Sequence, residues 1–281
     1  MRDDVHPPSS AVREVVARAL AEDVLPLGDL TASLVPIDVH ARAAFIARAA
    51  GVVAGRLCAI EAFTQVDDTV VLAWSFDDGD SVEPGDVLGV VTGPLRSVLT
   101  AERTALNLLS HLSGVATATR RYAELAAPAR IRDTRKTTPG LRALEKAAVR
   151  AGGGVNHRAN LSDGILVKDN HLGGLTIAEA VRKADERWPG RVVEVECDSI
   201  EQVQQALDAG AGMVLLDNMT PDEVADCVRL VGGSVPVEVS GGVTLDNVAS
   251  YAPTGADFIA VGAITHSATV LDIGLDLELG G

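Results

Sequence analysis

Between Arg130 and Gly262 the chain repeats one pattern: a short, nearly continuous apolar run, a polar turn, then a segment of helical period. The runs read as strands are Arg130–Asp133, Ile165–Lys168, Val192–Glu196, Met213–Asp217, Pro236–Ser240 and Phe258–Gly262. With Glu194, Leu215, Val237 and Ile259 as strand centres, the spacings are 21, 22 and 22 residues. Strands apolar on both faces need cover on both faces, which is the condition of a parallel sheet wrapped in helices. The expected fold is therefore α/β, an incomplete parallel β/α barrel of about six strands, against the usual eight. A doubly wound open sheet is the competing arrangement.

Helix starts punctuate the array. Thr138-Pro139 reads as an N-cap with proline at the first helical position. Thr176 with Glu179, Ser199 with Gln202, and Thr220 with Glu223 read as capping boxes. Gly190, Gly210 and Gly232-Gly233 mark helix ends.

Upstream the pattern differs. Residues 11–22 read as an amphipathic helix, with Val12, Val15, Val16, Ala19 and Leu20 on one face. From about 41 to 98, short valine-rich runs between glycine turns read as a small β-rich layer. Its DDGDSVEPGDVLGVVTG stretch has the look of a biotinyl or lipoyl carrier, but no lysine precedes Lys136, so that function is excluded. Residues 100–112 read as a helix capped by Thr100. That places Arg103 in a first turn, where the helix dipole disfavours a cation. Either solvent or a dedicated anionic partner would offset this.

A chain of 281 residues with 47% hydrophobic and only 3% aromatic residues can build a large, mainly aliphatic core. Three widely spaced cysteines, Cys58, Cys197 and Cys227, point to reduced thiols and a cytoplasmic setting. No CxxC or HExxH occurs, and neither a signal-peptide pattern nor an apolar run of membrane-spanning length is present.

Charge narrows the class of ligand. Residues 130–171 carry nine Arg or Lys against Asp133, Glu145, Asp163 and Asp169, a net of +5 (nine minus four) in a chain of formal charge −15. The remainder therefore sums to −20, and such a surface repels a polyanion such as nucleic acid. A small anionic ligand suits a local cationic island better. Only four lysines occur, and Lys136 directly follows Arg135, which pairs a point charge with a planar fork.

Polar residues gather at the C-terminal ends of the six expected strands, the face where parallel barrels build their sites. They are Thr134, Arg135 and Lys136; Lys168; Glu196; Asp217; Ser240-Gly241-Gly242; and Val261-Gly262-Ala263. The two glycine-bearing ends suit phosphate held on backbone N–H groups, or are ordinary turns. Glu196 and Asp217 suit Mg²⁺, directly or through water, or sugar hydroxyls, or ion pairing with Lys136 and Lys168. Gly152-Gly153-Gly154 precedes His157-Arg158, and nothing matches a nucleotide-triphosphatase loop.

DTRKTTPGLRALEKAAVRAGGGVNHR, LVKDNH, EVE at 194–196, LLDNM, SGGVTLDN and VGAITHS, in this order, closely resemble the quinolinate phosphoribosyltransferase family. GDLT, ERTALNLLSHLSGVAT and LDIGLDL extend the match over nearly the whole chain. Ala147 stands where an aromatic is common, and Asn160 where glycine is usual.

The resemblance implies that quinolinate and phosphoribosyl pyrophosphate give nicotinate mononucleotide, pyrophosphate and CO₂ with Mg²⁺, in de novo NAD biosynthesis. It implies an N-terminal α/β sandwich over 1–113, a barrel over 114–266 and a tail, 267–281, that returns to the first domain. It implies a homodimer in which Arg103 completes the partner's site. Arg103, Arg135, His157, Arg158 and Lys168 are then expected to cradle the quinolinate dianion. Glu196 and Asp217 would face the ribose, and Lys136 the leaving pyrophosphate. Rival readings are the molybdenum-transport-associated relatives of the family, a Schiff-base aldolase using Lys168, and a non-enzymatic ligand-binding protein.

Overall fold

The computed structural model describes residues 5–279, and the chain falls into two compact units. The first comprises residues 5–120, 137–153 and 264–279; the second comprises 121–136 and 154–263. Neither unit is one uninterrupted stretch of sequence.

The first unit opens with helix α1 (Ser9–Val24), which buries Val12, Val15, Val16 and Leu20 along the apolar stripe its spacing foretells. Strands β1 (His40–Ala47), β3 (Val71–Trp74) and β5 (Val87–Pro94) join β12 (Ile273–Leu279) in an antiparallel sheet of order β12-β1-β5-β3. Strands β2 (Gly51–Val52) and β4 (Ser81–Val82) form a separate pair. β12 aligns with the whole of β1, from Ala41 opposite Leu279 to Ala47 opposite Ile273, so the chain's last strand closes the first unit's sheet. Phe45 anchors the core, stacked on Trp74 at 5.0 Å and edge-on to Phe63 at 6.1 Å.

Three local readings change here. Arg56–Val66, inside the stretch read as β-rich, is helix α2, with Cys58, Ala59, Ala62 and Phe63 on its buried stripe. Its N-terminus is held by Asp78, which accepts from Gly55 N at 3.0 Å and Arg56 N at 3.1 Å. The helix expected at 100–112 is the middle of a 32-residue helix, α3 (Leu95–Ala126). Thr100 is therefore no cap. Its hydroxyl donates to Arg96 O at 2.9 Å, and Arg103 is free of the dipole penalty a first turn would bring. Thr138-Pro139 does not start a helix either: α4 (Arg142–Ala151) begins one turn later, after Leu141.

The second unit holds six parallel strands: β6 (Arg130–Arg132), β7 (Ile165–Val167), β8 (Val193–Cys197), β9 (Met213–Asp217), β10 (Val237–Ser240) and β11 (Phe258–Ala260). Their order is β6-β11-β10-β9-β8-β7, the cyclic order of a barrel left open between its first and second strands. Val155 bridges to Arg132 at the free edge of β6. Glu194 on β8 and Glu238 on β10, two strands apart, have carboxylate oxygens within 4.8 Å across β9. This is the expected incomplete barrel.

Helices α6 (Ile177–Arg187), α7 (Ile200–Asp208) and α8 (Pro221–Val231) alternate with the strands; α5 (Asp169–Leu172), α9 (Val248–Tyr251) and α10 (Ala263–His266) are single turns. Thr176/Glu179 and Thr220/Glu223 form reciprocal capping boxes. Ser199 sits at the N-cap of α7 without a side-chain cap bond; Gln202 instead accepts from Asp198 N at 2.8 Å.

One close approach in the first unit fixes a glycine. A Cβ on Gly114, in α3, would lie 2.2 Å from the Thr269 carbonyl oxygen in the segment leading to β12. Gly114→Ala is expected to cost about 1–3 kcal/mol of stability through overpacking. Urea unfolding monitored by circular dichroism measures it, and an unchanged midpoint would show that this approach yields freely.

Candidate active site

Parity along the strands decides which side chains enter the barrel. Residues two apart share a face. On β8 the interior pair is Glu194 and Glu196, and on β10 it is Glu238 and Ser240. Asp217 continues the interior set of β9, and Lys168 that of β7 beyond Leu166. Pairing sets Glu196 beside Leu215 and Ser240 beside Asp217, while Leu166 meets Glu194 and Glu238 meets Leu215. Burial separates two groups: Lys168, Glu196, Asp217 and Ser240 are partly exposed at the C-terminal mouth, while Glu194 and Glu238 are buried.

A cavity of about 630 Å³ opens on this mouth, within the range of small-molecule sites. Thr134, Arg135, Lys136, His157, Arg158, Lys168, Glu196, Asp217, Ser240, Gly241 and Gly242 line it, together with Leu166, Leu215, Asn218, Glu238 and Ala260. Eleven residues expected from sequence thus face one space. Val261, Gly262 and Ala263 are not among the lining residues. The Val261 N–H is committed to Arg132 O at 2.9 Å, so β11 presents Ala260 to the cavity and has no such donor left at Val261. Arg103 belongs to the other unit. Its side chain is 72% exposed and 3.5 Å from Glu102, beside a surface hollow lined by Asp23, Gly28, Asp29 and Thr100.

The cationic wall is held from behind by Asp133, a residue missed in the sequence reading. It is fully buried and accepts from Asn156 Nδ2 at 2.6 Å and from His157 N at 2.8 Å. Arg158 donates from Nη1 to Gly164 O at 3.0 Å, and Asn160 caps its own turn by accepting from Ser162 N at 2.9 Å. Burial lowers the Arg158 pKa, and the neighbouring Arg135 guanidinium lowers it further. Two guanidiniums kept close against mutual repulsion form a ready receptor for a multivalent anion.

His157 is differently engaged. Arg158 N donates to its Nδ1 at 2.7 Å, which leaves the proton on Nε2, 3.1 Å from Glu194 Oε2. In this geometry the ring holds the Arg158 backbone on one side and meets Glu194 on the other. Glu238 lies below, 3.8 Å from His157 Nε2 and ion-paired with Arg132. Arg132 also lies over the Phe258 ring at 4.9 Å. Although His157, Glu194 and Glu238 could each offer a metal-ligand atom, Arg132 already supplies a cation to this cluster. We assign no metal there.

At the mouth, Lys168 is ion-paired with Glu196, the pairing that the sequence had left open for Lys168. Asp217 Oδ2 accepts from Asn218 Nδ2 at 2.7 Å. Asn218 is the only non-glycine residue at positive φ among the described residues, at 57°. A Cβ on Gly241 would fall 2.3 Å from Asn218 Oδ1, so this glycine accommodates Asn218, whereas Gly242 has nothing within 4 Å of its Cβ direction. Glu196 and Asp217 are hard oxygen donors on adjacent strands, a donor set chemically suited to Mg²⁺.

The three thiols take no part. Cys58, Cys197 and Cys227 are buried, and burial pushes the Cys58 and Cys197 pKa values up to about 12, leaving protonated, unreactive side chains.

Comparison with known proteins agrees with this geometry. Residues 29–113 match the model of the quinolinate phosphoribosyl transferase N-terminal domain, and residues 115–276 that of its C-terminal domain. A nicotinate-nucleotide pyrophosphorylase (carboxylating) of Mycobacterium leprae is 42% identical over 277 residues, covering 95% of this chain and 97% of that protein. A probable one of Bacillus subtilis is 41% identical over 256 residues, covering 90% and 89%. The solved structure of the Francisella tularensis nicotinate-nucleotide pyrophosphorylase superposes with a TM-score of 0.93 at 38% identity, covering 98% of this chain and 99% of that one. With both domain models matched in order and relatives aligned almost end to end, the chain belongs to the quinolinate phosphoribosyltransferase family.

Proposed function

We infer that this protein transfers the phosphoribosyl group of phosphoribosyl pyrophosphate to the ring nitrogen of quinolinate with decarboxylation, in de novo NAD biosynthesis. The products are nicotinate mononucleotide, pyrophosphate and CO₂. The observation that carries the reading onto this chain's own residues is the convergence of Arg135, Lys136, Arg158 and Lys168 on one cavity with Glu196 and Asp217.

Quinolinate is a dianion, and a charge-assisted hydrogen bond contributes roughly 1.5–3 kcal/mol. Arg135, Arg158 and Lys168 hold its carboxylates, while His157 keeps the Arg158 backbone in place. The ring nitrogen attacks the anomeric carbon as the bond to pyrophosphate breaks, and positive charge builds on the sugar. Glu196 and Asp217 face that charge and accept from the ribose hydroxyls, and Lys136 offsets charge on the departing group. Mg²⁺ held by Glu196 and Asp217, directly or through water, would supply further neutralisation of the pyrophosphate. Once the nitrogen is quaternary, the adjacent carboxylate leaves as CO₂, because the cationic ring stabilises the electron pair left behind, and that carbon then takes a proton from solvent to give nicotinate mononucleotide. The Ser240-Gly241-Gly242 turn suits the ribose phosphate. No side chain needs to act as nucleophile; the protein orients two anions that repel each other in water.

The working unit of this reading is a homodimer in the cytoplasm, with Arg103 completing the partner's site. Support comes from the exposed Arg103 guanidinium and from Leu25, Leu27, Leu30, Leu34 and Ile37, each 64–82% exposed within one short segment of the same unit. Among the described residues, no helix is long and apolar enough to cross a membrane.

Steady-state assays of nicotinate mononucleotide formation test the assignment. Arg135→Ala and Lys168→Ala are expected to raise the quinolinate KM about tenfold to a hundredfold each, with the fold intact by circular dichroism. Near-normal kinetics in both variants would remove the cradle. Glu196→Ala and Asp217→Ala should lose mainly kcat, and an unchanged kcat would return them to ion pairing alone. Mixing Arg103→Ala and Lys168→Ala proteins under exchange conditions, at quinolinate too dilute for either alone to turn over appreciably, should restore up to about a quarter of wild-type activity, since half the dimers would be mixed with one intact site each. No recovery despite subunit exchange would place Arg103 within its own subunit's chemistry or outside it altogether.

A further inference from the structure

Glu194 and Glu238 take no part in the chemistry set out above, yet both are buried directly beneath it, at 6% and 0% exposure. Their positions are expensive. A carboxylate removed from water needs a partner for each oxygen, or it needs a proton. Glu194 gives one oxygen to His157, and Glu238 gives one to Arg132. The other oxygen of each, Oε1 in both cases, is buried with no hydrogen-bond partner.

The charge around Glu238 is unbalanced. Arg132 on β6 is ion-paired with it. His157 faces it from the loop before β7 at 3.8 Å, with Nδ1 taken by Arg158 N. Glu194 on β8 faces it as a like charge. Its cross-strand neighbours, Leu215 on β9 and Phe258 on β11, are uncharged. With both carboxylates ionised, two negative charges within 4.8 Å share one guanidinium in a water-poor barrel core, and each keeps an oxygen without a hydrogen-bond partner. Directly above it, the cavity is to receive a dianion.

We propose that Glu238 binds a proton when quinolinate binds, so that the floor of the cavity is neutral in the complex and substrate affinity is proton-linked. This rests on the substrate reading above. It makes Glu238 a positioning and specificity residue: its protonated carboxyl removes repulsion from beneath a doubly charged ligand and leaves Arg132 to balance Glu194. In the free protein, burial first and then the charge of Glu194 raise the Glu238 pKa to about 7. A dianion overhead raises it further. The sign follows from linkage. Below neutrality Glu238 already holds the proton, and binding takes up little; above neutrality binding must draw it from solution, so affinity falls as pH rises. If the complex stays protonated, quinolinate binds about tenfold more weakly for each pH unit above about 7.

Titration calorimetry of quinolinate onto the intact protein tests this at pH 6 and pH 8, in two buffers of different ionisation enthalpy. The wild type is expected to take up close to one proton per site at pH 8 and a smaller fraction at pH 6. Glu238→Gln, which keeps the shape and the neutral form, is expected to take up none from this source and to bind at pH 8 more tightly than the wild type. Equal uptake in wild type and Glu238→Gln overturns the proposal, as does zero uptake in the wild type, which needs no variant. Loss of affinity in Glu238→Gln at both pH values with the wild-type pH slope also overturns it, because that is the signature of a purely structural residue. Should Glu238→Gln fail to fold, Glu194→Gln supplies the second variant. Removing the like charge must move the uptake to lower pH, and an unmoved profile counts against the proposal. No binding of quinolinate to the wild type at any pH would strike the substrate reading itself, an outcome separate from binding without proton uptake.

Discussion

The two-residue period of six strands that all run one way is the constraint on which the site depends. Parallel direction brings every C-terminal end to one face, and parity then chooses which residue at that end looks inward. Glu196, Asp217 and Ser240 end their interior columns, so three strands turn a polar group toward one cavity without any loop arranging it. The same parity turns Glu194 and Glu238 inward, where both are buried. A one-residue shift on β8 would turn both of its carboxylates toward the helices and replace them with Val193, Val195 and Cys197. The chemistry is thus tied to register more tightly than to any individual contact.

Electrostatically the barrel is built in opposing tiers. Its rim carries Arg135, Lys136, Arg158 and Lys168, and its floor carries Glu194 and Glu238, with Arg132 between the floor and the sheet. Neither tier is favourable alone: burial and Arg135 both lower the Arg158 pKa, and burial and Glu194 both raise that of Glu238. Glu194 offsets part of the strain on Arg158, so each tier lowers the cost of the other. An anion entering between them satisfies the rim. The dipoles and charges are oriented before it arrives, so little reorganisation is needed at the moment of reaction.

Much of this was legible in the sequence, for identifiable reasons. Strand spacing and the capping boxes at Thr176 and Thr220 are local signals that tertiary packing had no cause to override. The polar strand ends were equally plain. The errors came where local reading ignored length or layer. Residues 130–171 looked like one cationic island, yet Arg142, Lys146 and Arg150 belong to α4 in the other unit, and Arg132 is spent on Glu238. Helix α3 was cut short because Thr100 resembles a cap, although Leu95–Leu99 already continue its apolar stripe. Glu194 and Glu238 carried a visible signal, an acid in the middle of the apolar strands VEVEC and VEVS. That the two meet follows only from the strand order, which sets β8 and β10 on either side of β9 with both acids on the same face.

The glycines after β10 show how a motif's obvious explanation can belong to its neighbour. In SGG a missing Cβ reads as room for a phosphate, and at Gly242 the space is indeed open. At Gly241 the missing atom makes room for Asn218, whose amide oxygen and backbone nitrogen would lie 2.3 Å and 2.8 Å from it. Asn218 in turn donates to Asp217 Oδ2 and, from its backbone, to Ser240 O at 2.9 Å. Asparagine tolerates the left-handed backbone at φ 57° better than other side-chain-bearing residues, and glycine there would lack the amide. Asn218 and Gly241 therefore form one joint between the end of β9 and the turn after β10. The carboxylate proposed to face the ribose and the turn proposed for its phosphate are positioned by the same few atoms, so the spacing between these two parts of the cavity is set by the sheet and not by flexible loops.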